Sequence, residues 1–482
     1  MATASTNPPA TTDSTAVAAP ADRDDAFARV GAEAISHADL FERDYPAHLK
    51  ILGQRLEQQL EACHTDTLVL TAGAPANHLF DDQPTSFRAN PHLRQWLPLD
   101  DCSDAALILE PGTKPRLLFV EPADYWHLVA PAPDWAQTNL RVESYPDPAA
   151  LQKALDDQLK GRNHIALVGP ASDRTMLSGA SYNPTELLAM LDFDRGCKTA
   201  FEQNCMTLAT RRAVAGHCAA ARAFASADVS EFDVHCAYLQ ASLQTESDLP
   251  YGNIVALNEH GSVLHYQHQS RSTPNDVLSL LIDAGARSHG YASDITRSYA
   301  RSPGPFADLI EALDKEQLAL IETITTDQAY LDLHIDMHRR IARLLTDCGL
   351  LLCSADEAFD QGLTETFLPH GLGHLIGLQT HDVAGQSDRG GHTVPPPEQY
   401  AALRMTRRTT IDQVFTIEPG IYFIDLLLAP LLAGPNGKLV DQTLLNTLKP
   451  YGGIRIEDNV TVQAHGVHNA TRVAFAEQAV SP

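Results

Sequence analysis

Two aspartates stand on either side of a short turn signal in the second half of the chain. Asp283 ends an apolar run, and Asp294 begins a segment rich in strand-forming residues. Their midpoint falls between Ser288 and His289, so a hairpin centred there would place the two carboxylates opposite each other. Carboxylates at that distance repel unless a metal ion or a shared proton lies between them. The alternative is a pair of solvated aspartates near a turn.

Two glutamates occupy matching positions farther along the chain. Glu418 follows the strand-like run Phe415-Thr-Ile, and Glu457 follows Ile454-Arg-Ile. The two segments echo each other, as two halves of a related fold would. One glutamate at a strand end is ordinarily solvated, but two glutamates and two aspartates in one β-rich region indicate a shared site.

The glycine-rich segment Pro369-His-Gly-Leu-Gly-His374 supplies two histidines. His370 and His374 are four residues apart, the spacing of a zinc-protease helix, but Gly371 stands where that helix needs its glutamate. Gly371 and Gly373 also disfavour a helix, and their spacing is not that of a dinucleotide-binding loop. A loop that presents a histidine to a metal or a substrate is the better interpretation.

Four carboxylates and one imidazole form an oxygen-rich ligand set. Such a set suits two ions of Mn²⁺, Co²⁺ or Zn²⁺ held about 3.5–4 Å apart. A pair of ions can deprotonate a water near neutral pH and polarise a carbonyl, which is the chemistry of amide hydrolysis. We therefore expect two divalent ions per chain, with Mn²⁺ as the first choice among these three metals.

The elements that must position these residues divide the chain near residues 190–200. Residues 1–30 are rich in alanine, threonine, serine and proline, which predicts a disordered tail. Residues 31–195 alternate helical patterns with short apolar runs, which is typical of an α/β domain. This domain is predicted to contain a helix at residues 45–62 and strands at residues 67–71, 105–109, 117–120 and 165–168.

Residues 196–482 are predicted to form a larger α+β domain. Helical patterns cover residues 198–225, 231–245, 306–324 and 333–345. Short apolar runs predict strands at residues 254–257, 263–266, 277–282, 414–417, 421–424, 454–456 and 460–462. All five candidate ligands fall in this domain.

Composition excludes several classes of partner. The formal net charge of −26 argues against binding to nucleic acid or to an anionic membrane surface. No run approaches the roughly 18 apolar residues of a membrane span, and the first residues have neither the basic start nor the apolar stretch of a signal peptide. The eight cysteines form no Cys-x-x-Cys pair, which indicates reduced thiols. A cytoplasmic location is predicted.

These motifs resemble the pita-bread metallopeptidases, the family of methionine aminopeptidase, aminopeptidase P, prolidase and creatinase. The resemblance runs over residues 40–475 and is closest to the bacterial Xaa-Pro dipeptidases and the organophosphorus acid anhydrolases that belong with them. It rests on Asp283-Ala-Gly-Ala, Asp294-Ile-Thr-Arg, His370-Gly-Leu-Gly-His, Ile417-Glu-Pro-Gly and Gly452-Gly-Ile-Arg-Ile-Glu. It implies an N-terminal creatinase-like α/β domain followed by an α+β pita-bread catalytic domain.

The resemblance also implies how the metals are held. Asp294 and Glu457 would bridge both ions, Asp283 would bind one ion, and His374 and Glu418 would bind the other. Glu418 would in addition carry a proton from the bridging water to the leaving nitrogen.

Further roles follow from the same resemblance. His370 and His381 would line the pocket and steady the tetrahedral intermediate, and Arg455 would orient the carboxylates or the substrate. Arg404 would clamp the C-terminal carboxylate of the substrate. The side-chain pockets would be shaped by Tyr251, His265 and Tyr330.

Three of these residues have simpler explanations. His265 could be an ordinary strand histidine, Arg404 part of a basic surface cluster, and Tyr330 a packing residue. Asp82 lies in a loop that resembles one reaching into a partner subunit's site, which implies a homodimer. Thr380 replaces an apolar pocket residue, so the preference for a substrate side chain is not implied by the resemblance.

The function implied is hydrolysis of Xaa-Pro dipeptides to an amino acid and proline. Side activity on organophosphate triesters is also expected, because a metal-activated hydroxide can attack phosphorus. One alternative is an aminopeptidase P that acts on longer Xaa-Pro peptides. The other is a pita-bread protein that has lost its metals and serves as a binding module.

Overall fold

A computed structural model describes residues 35–99, 102–170, 177–226 and 228–480. The predicted disordered tail, residues 1–30, lies outside these ranges. The eight cysteines all lie within these ranges, and none of them forms a disulfide.

The N-terminal part is built on one mixed sheet. Its strands are β1 (Thr67–Thr71), β2 (Ala106–Leu109), β3 (Arg116–Val120), β4 (Arg141–Tyr145), β5 (Ile165–Val168) and β6 (Ser181–Tyr182), in the order β4-β3-β2-β1-β5-β6. Central β1 runs antiparallel to β2 and parallel to β5. Every residue of β1 is buried, which is why this strand reads as one continuous run instead of an alternating pattern.

Helices cover this sheet and lead into the second part. A π-helical turn (Asp39–Asp44) precedes α1 (Tyr45–Ala62), α2 (Pro91–Trp96), α3 (Asp134–Asn139), α4 (Pro148–Leu159) and α5 (Thr185–Arg195). The apolar face of α1 packs on the sheet through Leu52, Leu56 and Leu60. The short join after Arg195 leads to α6, the first helix of the second part.

The second part contains long helices and short strands. The helices are α6 (Ala200–Phe224), α7 (Glu231–Ser242), α8 (Pro305–Ile321), α9 (Tyr330–Asp347), α10 (Ala355–Asp360), α11 (Asp425–Ala433), α12 (Gln442–Leu448) and α13 (Ala470–Val480). Short 3₁₀ turns occupy Asn258–Ser262, Leu363–Thr366, Glu398–Tyr400, Pro435–Leu439 and Lys449–Tyr451. Helix α6 begins with a capping box, in which Thr199 and Glu202 satisfy each other's backbone N–H groups.

The strands of this part form small antiparallel sheets. They are β7 (Ile254–Leu257), β8 (Ser279–Asp283), β9 (Arg287–Ser288), β10 (Tyr291–Ala292), β11 (Thr296–Ala300), β12 (Val414–Ile417), β13 (Gly420–Tyr422), β14 (Gly453–Arg455), β15 (Asp458–Val462) and β16 (Val467–Asn469). The sheets are β11-β8-β7, β12-β15-β16, β13-β14 and β9-β10. A large apolar cluster that includes Leu313, Met337, Phe415 and Val460 joins α8 and α9 to the strands.

Two predicted strands are wrong in whole or in part. Residues 263–266 form a turn, because Tyr266 N–H donates to Val263 O at 3.1 Å and the Tyr266 hydroxyl is bound by buried Glu231. The strand predicted at residues 421–424 ends at Tyr422, and the apolar run continues as helix α11. Among the described residues, no helix is long and apolar enough to cross a membrane.

Candidate metal centre and active site

The two aspartates lie near each other but are not directly opposed. Asp283 ends β8 and pairs with Thr296 of β11, and the hairpin β9-β10 closes through His289 and Gly290, whose φ angles are 49° and 89°. Two successive positive φ angles are typical of a type I′ turn. The turn therefore lies one residue later than predicted, and the prediction that Asp294 faces Asp283 is wrong.

The hydroxyl of Tyr251 connects the two carboxylates. Its oxygen lies 2.7 Å from Asp283 Oδ1 and also beside Asp294 Oδ1, so the two carboxylates share its one proton. Burial raises the pKa of Tyr251 well above its usual value, and the two aspartates add to this shift, so the hydroxyl stays protonated. The aspartates thus converge without being cross-strand partners.

The two glutamates lie next to the paired ends of two neighbouring strands. Strand β12 pairs with β15 so that Ile417 faces Asp458, which places Glu418 and Glu457 side by side. Thr296 then joins the glutamates to the aspartates. Its backbone forms an isolated bridge with Glu457, and its hydroxyl donates to Glu457 Oε2 at 2.7 Å.

His374 is held so that one particular nitrogen faces the carboxylates. Its Nδ1 lies 3.0 Å from Leu375 O, and its Nε2 lies 3.5 Å from Asp294 Oδ2 and 3.7 Å from Glu418 Oε1. A bond from Nδ1–H to a backbone carbonyl leaves the Nε2 lone pair available to a metal. Nε2 is therefore the nitrogen of His374 that a metal ion could reach.

All five predicted ligands come together in one place. The ligand atoms of Asp294, His374 and Glu457 lie within 4.8 Å of one another. Asp283 and Glu418 line the same cavity. Candidate ligands from four distant segments therefore share one site.

The electrostatics of this site fit divalent cations. Burial raises the pKa of Glu418 to about 7. Burial, and then repulsion from Asp294, raises the pKa of Glu457 well above its usual value. Burial also raises the pKa of Asp283 despite the neighbouring Arg455. Carboxylates that oppose one another's ionisation become stable as anions when cations lie between them, and hard oxygen donors suit ions such as Mn²⁺.

Arg455 joins three parts of the site. Its Nη2 donates to Asp283 Oδ2 at 2.6 Å, and its Nη1 donates to the hydroxyl of Tyr422 at 2.8 Å. The same hydroxyl lies 2.9 Å from His370 Nε2. Tyr422 was not among the predicted site residues. The signal that could have found it is its place in β13, which pairs with the strand that carries Arg455.

Two connected cavities lie over the ligands. The smaller, about 280 Å³, is lined by the five ligands together with His265, His370, His381, Arg404 and Arg455. The larger, about 610 Å³, shares His265, Asp283, Asp294 and His381 with it and extends toward Arg88 and Arg94 of the N-terminal part. The ring of His381 lies edge-on to that of His374, with centroids 4.4 Å apart. Burial lowers the pKa of His381 to about 4 and that of His370 to about 3.

Two predicted substrate-binding residues lie elsewhere. Tyr330 lines neither cavity: its side chain is fully buried, and its hydroxyl donates to Thr416 O at 2.9 Å. The structure therefore favours the packing explanation for Tyr330, because its hydroxyl is bonded to the backbone of Thr416. The side chain of Thr416 in turn accepts a hydrogen bond from His374 N–H. Asp82 lies exposed on a loop and lines neither cavity of the chain.

Two family models match the chain. Metallopeptidase family M24 matches residues 204–464, and the N-terminal domain of Xaa-Pro dipeptidase matches residues 43–193. The chain belongs to metallopeptidase family M24.

Two relatives match this M24 chain over nearly the whole of their own length. It is 44% identical to the Xaa-Pro dipeptidase of Edwardsiella ictaluri, with 89% of this chain and 97% of the relative covered. It is 43% identical to that of Aeromonas hydrophila, with 91% and 99% covered.

Solved structures confirm the fold of the M24 chain. Aminopeptidase PepP from Pseudomonas aeruginosa has a TM-score of 0.66 at 20% identity, and 89% of this chain and 98% of that chain are covered. Proline aminopeptidase P II from Yersinia pestis has a TM-score of 0.64 at 19% identity, with 89% and 100% covered. The predicted combination of an N-terminal α/β domain and a pita-bread catalytic domain is therefore confirmed.

Proposed function

We propose that this M24 chain hydrolyses Xaa-Pro dipeptides with two divalent ions, Mn²⁺ in its native form. The observation that carries the proposal is the convergence of four carboxylates, two of them buried and two half-buried, and His374 Nε2 at one cavity. In this assignment the ions would be held by Asp294 and Glu457 between them, by Asp283 on one side, and by His374 and Glu418 on the other. When bound, the ions would activate water and polarise the scissile carbonyl.

Glu418 is the proposed proton carrier. Its carboxylate, ionised when cations are bound, would accept a proton from the attacking water. It lies beside both His374 and His370, with Glu418 Oε2 3.8 Å from His370 Nδ1. From there it can pass the proton to the imino nitrogen of the leaving proline.

The remaining cavity residues are proposed to bind the dipeptide. Arg404 lines only the smaller cavity and would hold the proline carboxylate there, which limits the substrate to two residues. The residue before proline then extends past Tyr251 and His265 into the larger cavity. His381, kept neutral by burial, would donate a hydrogen bond to the developing oxyanion. His370 would line the pocket beside it, since its Nδ1 lies 2.8 Å from Gly371 O and its Nε2 lies 2.9 Å from the Tyr422 hydroxyl.

A dipeptide panel tests the proposal. Ala-Pro and Leu-Pro are expected to be cleaved with added Mn²⁺, whereas Ala-Pro-Gly is cleaved far more slowly. Equal rates on the tripeptide would instead indicate an aminopeptidase P. Metal analysis should find about two ions per chain, and a chain that binds none would be a binding module.

The variant Glu418→Gln separates chemistry from folding. It removes the proton-carrying oxygen but keeps the shape of the side chain, so we expect a folded protein whose kcat falls about 100-fold or more. Circular dichroism and the melting temperature provide the control. A variant that keeps wild-type kcat would remove Glu418 from the mechanism.

Three further proposals rest on the resemblance. The chain is a cytoplasmic homodimer in which Asp82 of one copy approaches the other's site. It cleaves some organophosphate triesters, which release of fluoride from a phosphorofluoridate analogue would test. The N-terminal domain comprises residues 31–195, and the catalytic domain comprises residues 196–482.

A further inference from the structure

One wall of the larger cavity is formed by a short loop. Leu378, Gln379, Thr380 and His381 all line this cavity, and we call residues 378–381 the wall segment. His381 also lines the smaller cavity, beside the metal ligands. The position of the wall segment therefore affects both the space for the residue before proline and the placement of His381.

The wall segment is anchored by the residue that follows it. Asp382 is buried, and its N–H donates to Leu375 O at 2.8 Å, which closes the loop after His374. Its Oδ1 accepts from Arg195 Nη2 at 2.6 Å, and its Oδ2 accepts from Lys198 Nζ at 2.8 Å. A single carboxylate thus binds two cations.

Both cations come from the join between the two parts of the chain. Arg195 is the last residue of α5, and Lys198 lies two residues before the start of α6. Lys198 Nζ also donates to Arg195 O at 2.5 Å, which ties the join to itself. Arg195 Nη2 reaches the wall segment directly and donates to Gln379 Oε1 at 3.1 Å.

This ion cluster is poorly explained by stability alone. The side chains of Arg195, Lys198 and Asp382 are only 1–2% exposed, and burying three charges carries a large desolvation cost. Arg195 Nε and Nη1 have no partner among the residues that the structure describes. The loop also depends on close approach, because a Cβ on Gly377 would lie 2.4 Å from Asp382 Oδ2. What the cluster supplies is a fixed geometry for the loop.

We propose that Arg195 and Lys198 are positioning residues that hold the wall segment through Asp382 and Gln379. They thereby set which residue before proline is accepted and where His381 stands. This inference rests on the proposed Xaa-Pro dipeptidase function, because the wall acts on the residue before proline. It makes the join between the two parts of the chain a determinant of specificity.

The test compares Arg195→Gln with the wild type on Gly-Pro, Leu-Pro and Phe-Pro in saturating Mn²⁺. We expect unchanged metal content, a kcat lowered about tenfold by misplacement of His381, and a kcat/KM ratio of Leu-Pro to Gly-Pro that shifts by about fivefold. Arg195→Lys, which keeps the charge, should recover part of both values. If Arg195→Gln does not fold, Lys198→Met carries the same expectations.

The matched control is Arg211→Gln, which breaks the two-hydrogen-bond pair between Arg211 and Glu477, 2.8 and 2.9 Å, on helices α6 and α13. That pair lines neither cavity, so the control should leave the ratio unchanged. The proposal is overturned by folded Arg195 and Lys198 variants with a wild-type kcat and ratio, or by a loss that follows metal content alone. A wild-type protein inactive on every Xaa-Pro dipeptide would instead remove the proposed function.

Discussion

Each of the three guanidinium nitrogens of Arg455 donates to a different residue. Besides Asp283 and Tyr422, its Nε donates to the hydroxyl of Thr296 at 3.2 Å, and that hydroxyl holds Glu457. A planar group fixed on three sides cannot turn, so it orients the ligands around it. The Tyr422 hydroxyl extends this order to His370, and a single atom therefore links the ligand region to the substrate cavity.

Removing that atom should reduce turnover without harming the fold. Tyr422→Phe leaves Arg455 Nη1 and His370 Nε2 without their shared partner, and we expect kcat to fall about tenfold. The protein should remain folded because the ring stays packed, although the lost hydrogen bonds should lower the free energy of unfolding by about 1–3 kcal/mol. Tyr451→Phe is the control, since Tyr451 stacks on Phe306 and lines neither cavity. Equal effects of the two variants would argue against a role for the Tyr422 hydroxyl.

The loop that carries His374 is held against β12 by close backbone contact. His374 N–H donates to the Thr416 hydroxyl at 3.1 Å, and Thr416 N–H donates to His374 O at 2.9 Å. A Cβ on Gly373 would lie 2.0 Å from Thr416 O. Real Cβ atoms do not approach a carbonyl so closely, so glycine is required at this position for the loop to reach the strand.

Gly373→Ala should therefore displace His374. Overpacking against backbone costs about 1–3 kcal/mol, and we expect a comparable loss of unfolding free energy together with weaker Mn²⁺ binding in a metal titration. Gly53→Ala is the matched control. Gly53 lies within α1, and a methyl group added there would have nothing within 4 Å of it, so alanine should stabilise the helix by up to about 1 kcal/mol. A Gly373→Ala protein with native metal affinity would show that the loop can adapt.

At the scale of the whole molecule, two sets of buried ionisable groups make stability depend on pH in opposite directions. Burial lowers the pKa of His334 to about 3 and that of His338 to about 4, so these histidines stay neutral and stability falls as pH drops below their unfolded pKa of 6.5. Glu418 acts in the other direction. Its folded pKa of about 7 exceeds the ordinary value of 4.5, so its contribution is lost as pH rises.

The effect of Glu418 on stability can be measured by comparing Glu418→Gln with the wild type after the metal is removed with EDTA. Glu418→Gln should be more stable than the wild type, and its advantage should grow by about 2 kcal/mol between pH 5 and pH 8. The histidines cancel in this difference because both proteins contain them. Urea unfolding at several pH values measures it. With saturating Mn²⁺ the order should reverse, because the wild type binds the metal with one more carboxylate.

The sequence by itself determined the candidate ligands, their order and the family, because metal chemistry admits few side chains and their motifs are local. It also located most helices and strands, because hydrophobic periodicity follows from the geometry of each element. The register of Asp283 was decided by the tertiary structure, since moving a turn by one residue changes every cross-strand partner. The tertiary structure also decided that Tyr330 is buried and that Arg195 and Lys198 bind Asp382. These contacts join residues far apart in the chain, and only the packing of the whole molecule sets such distances.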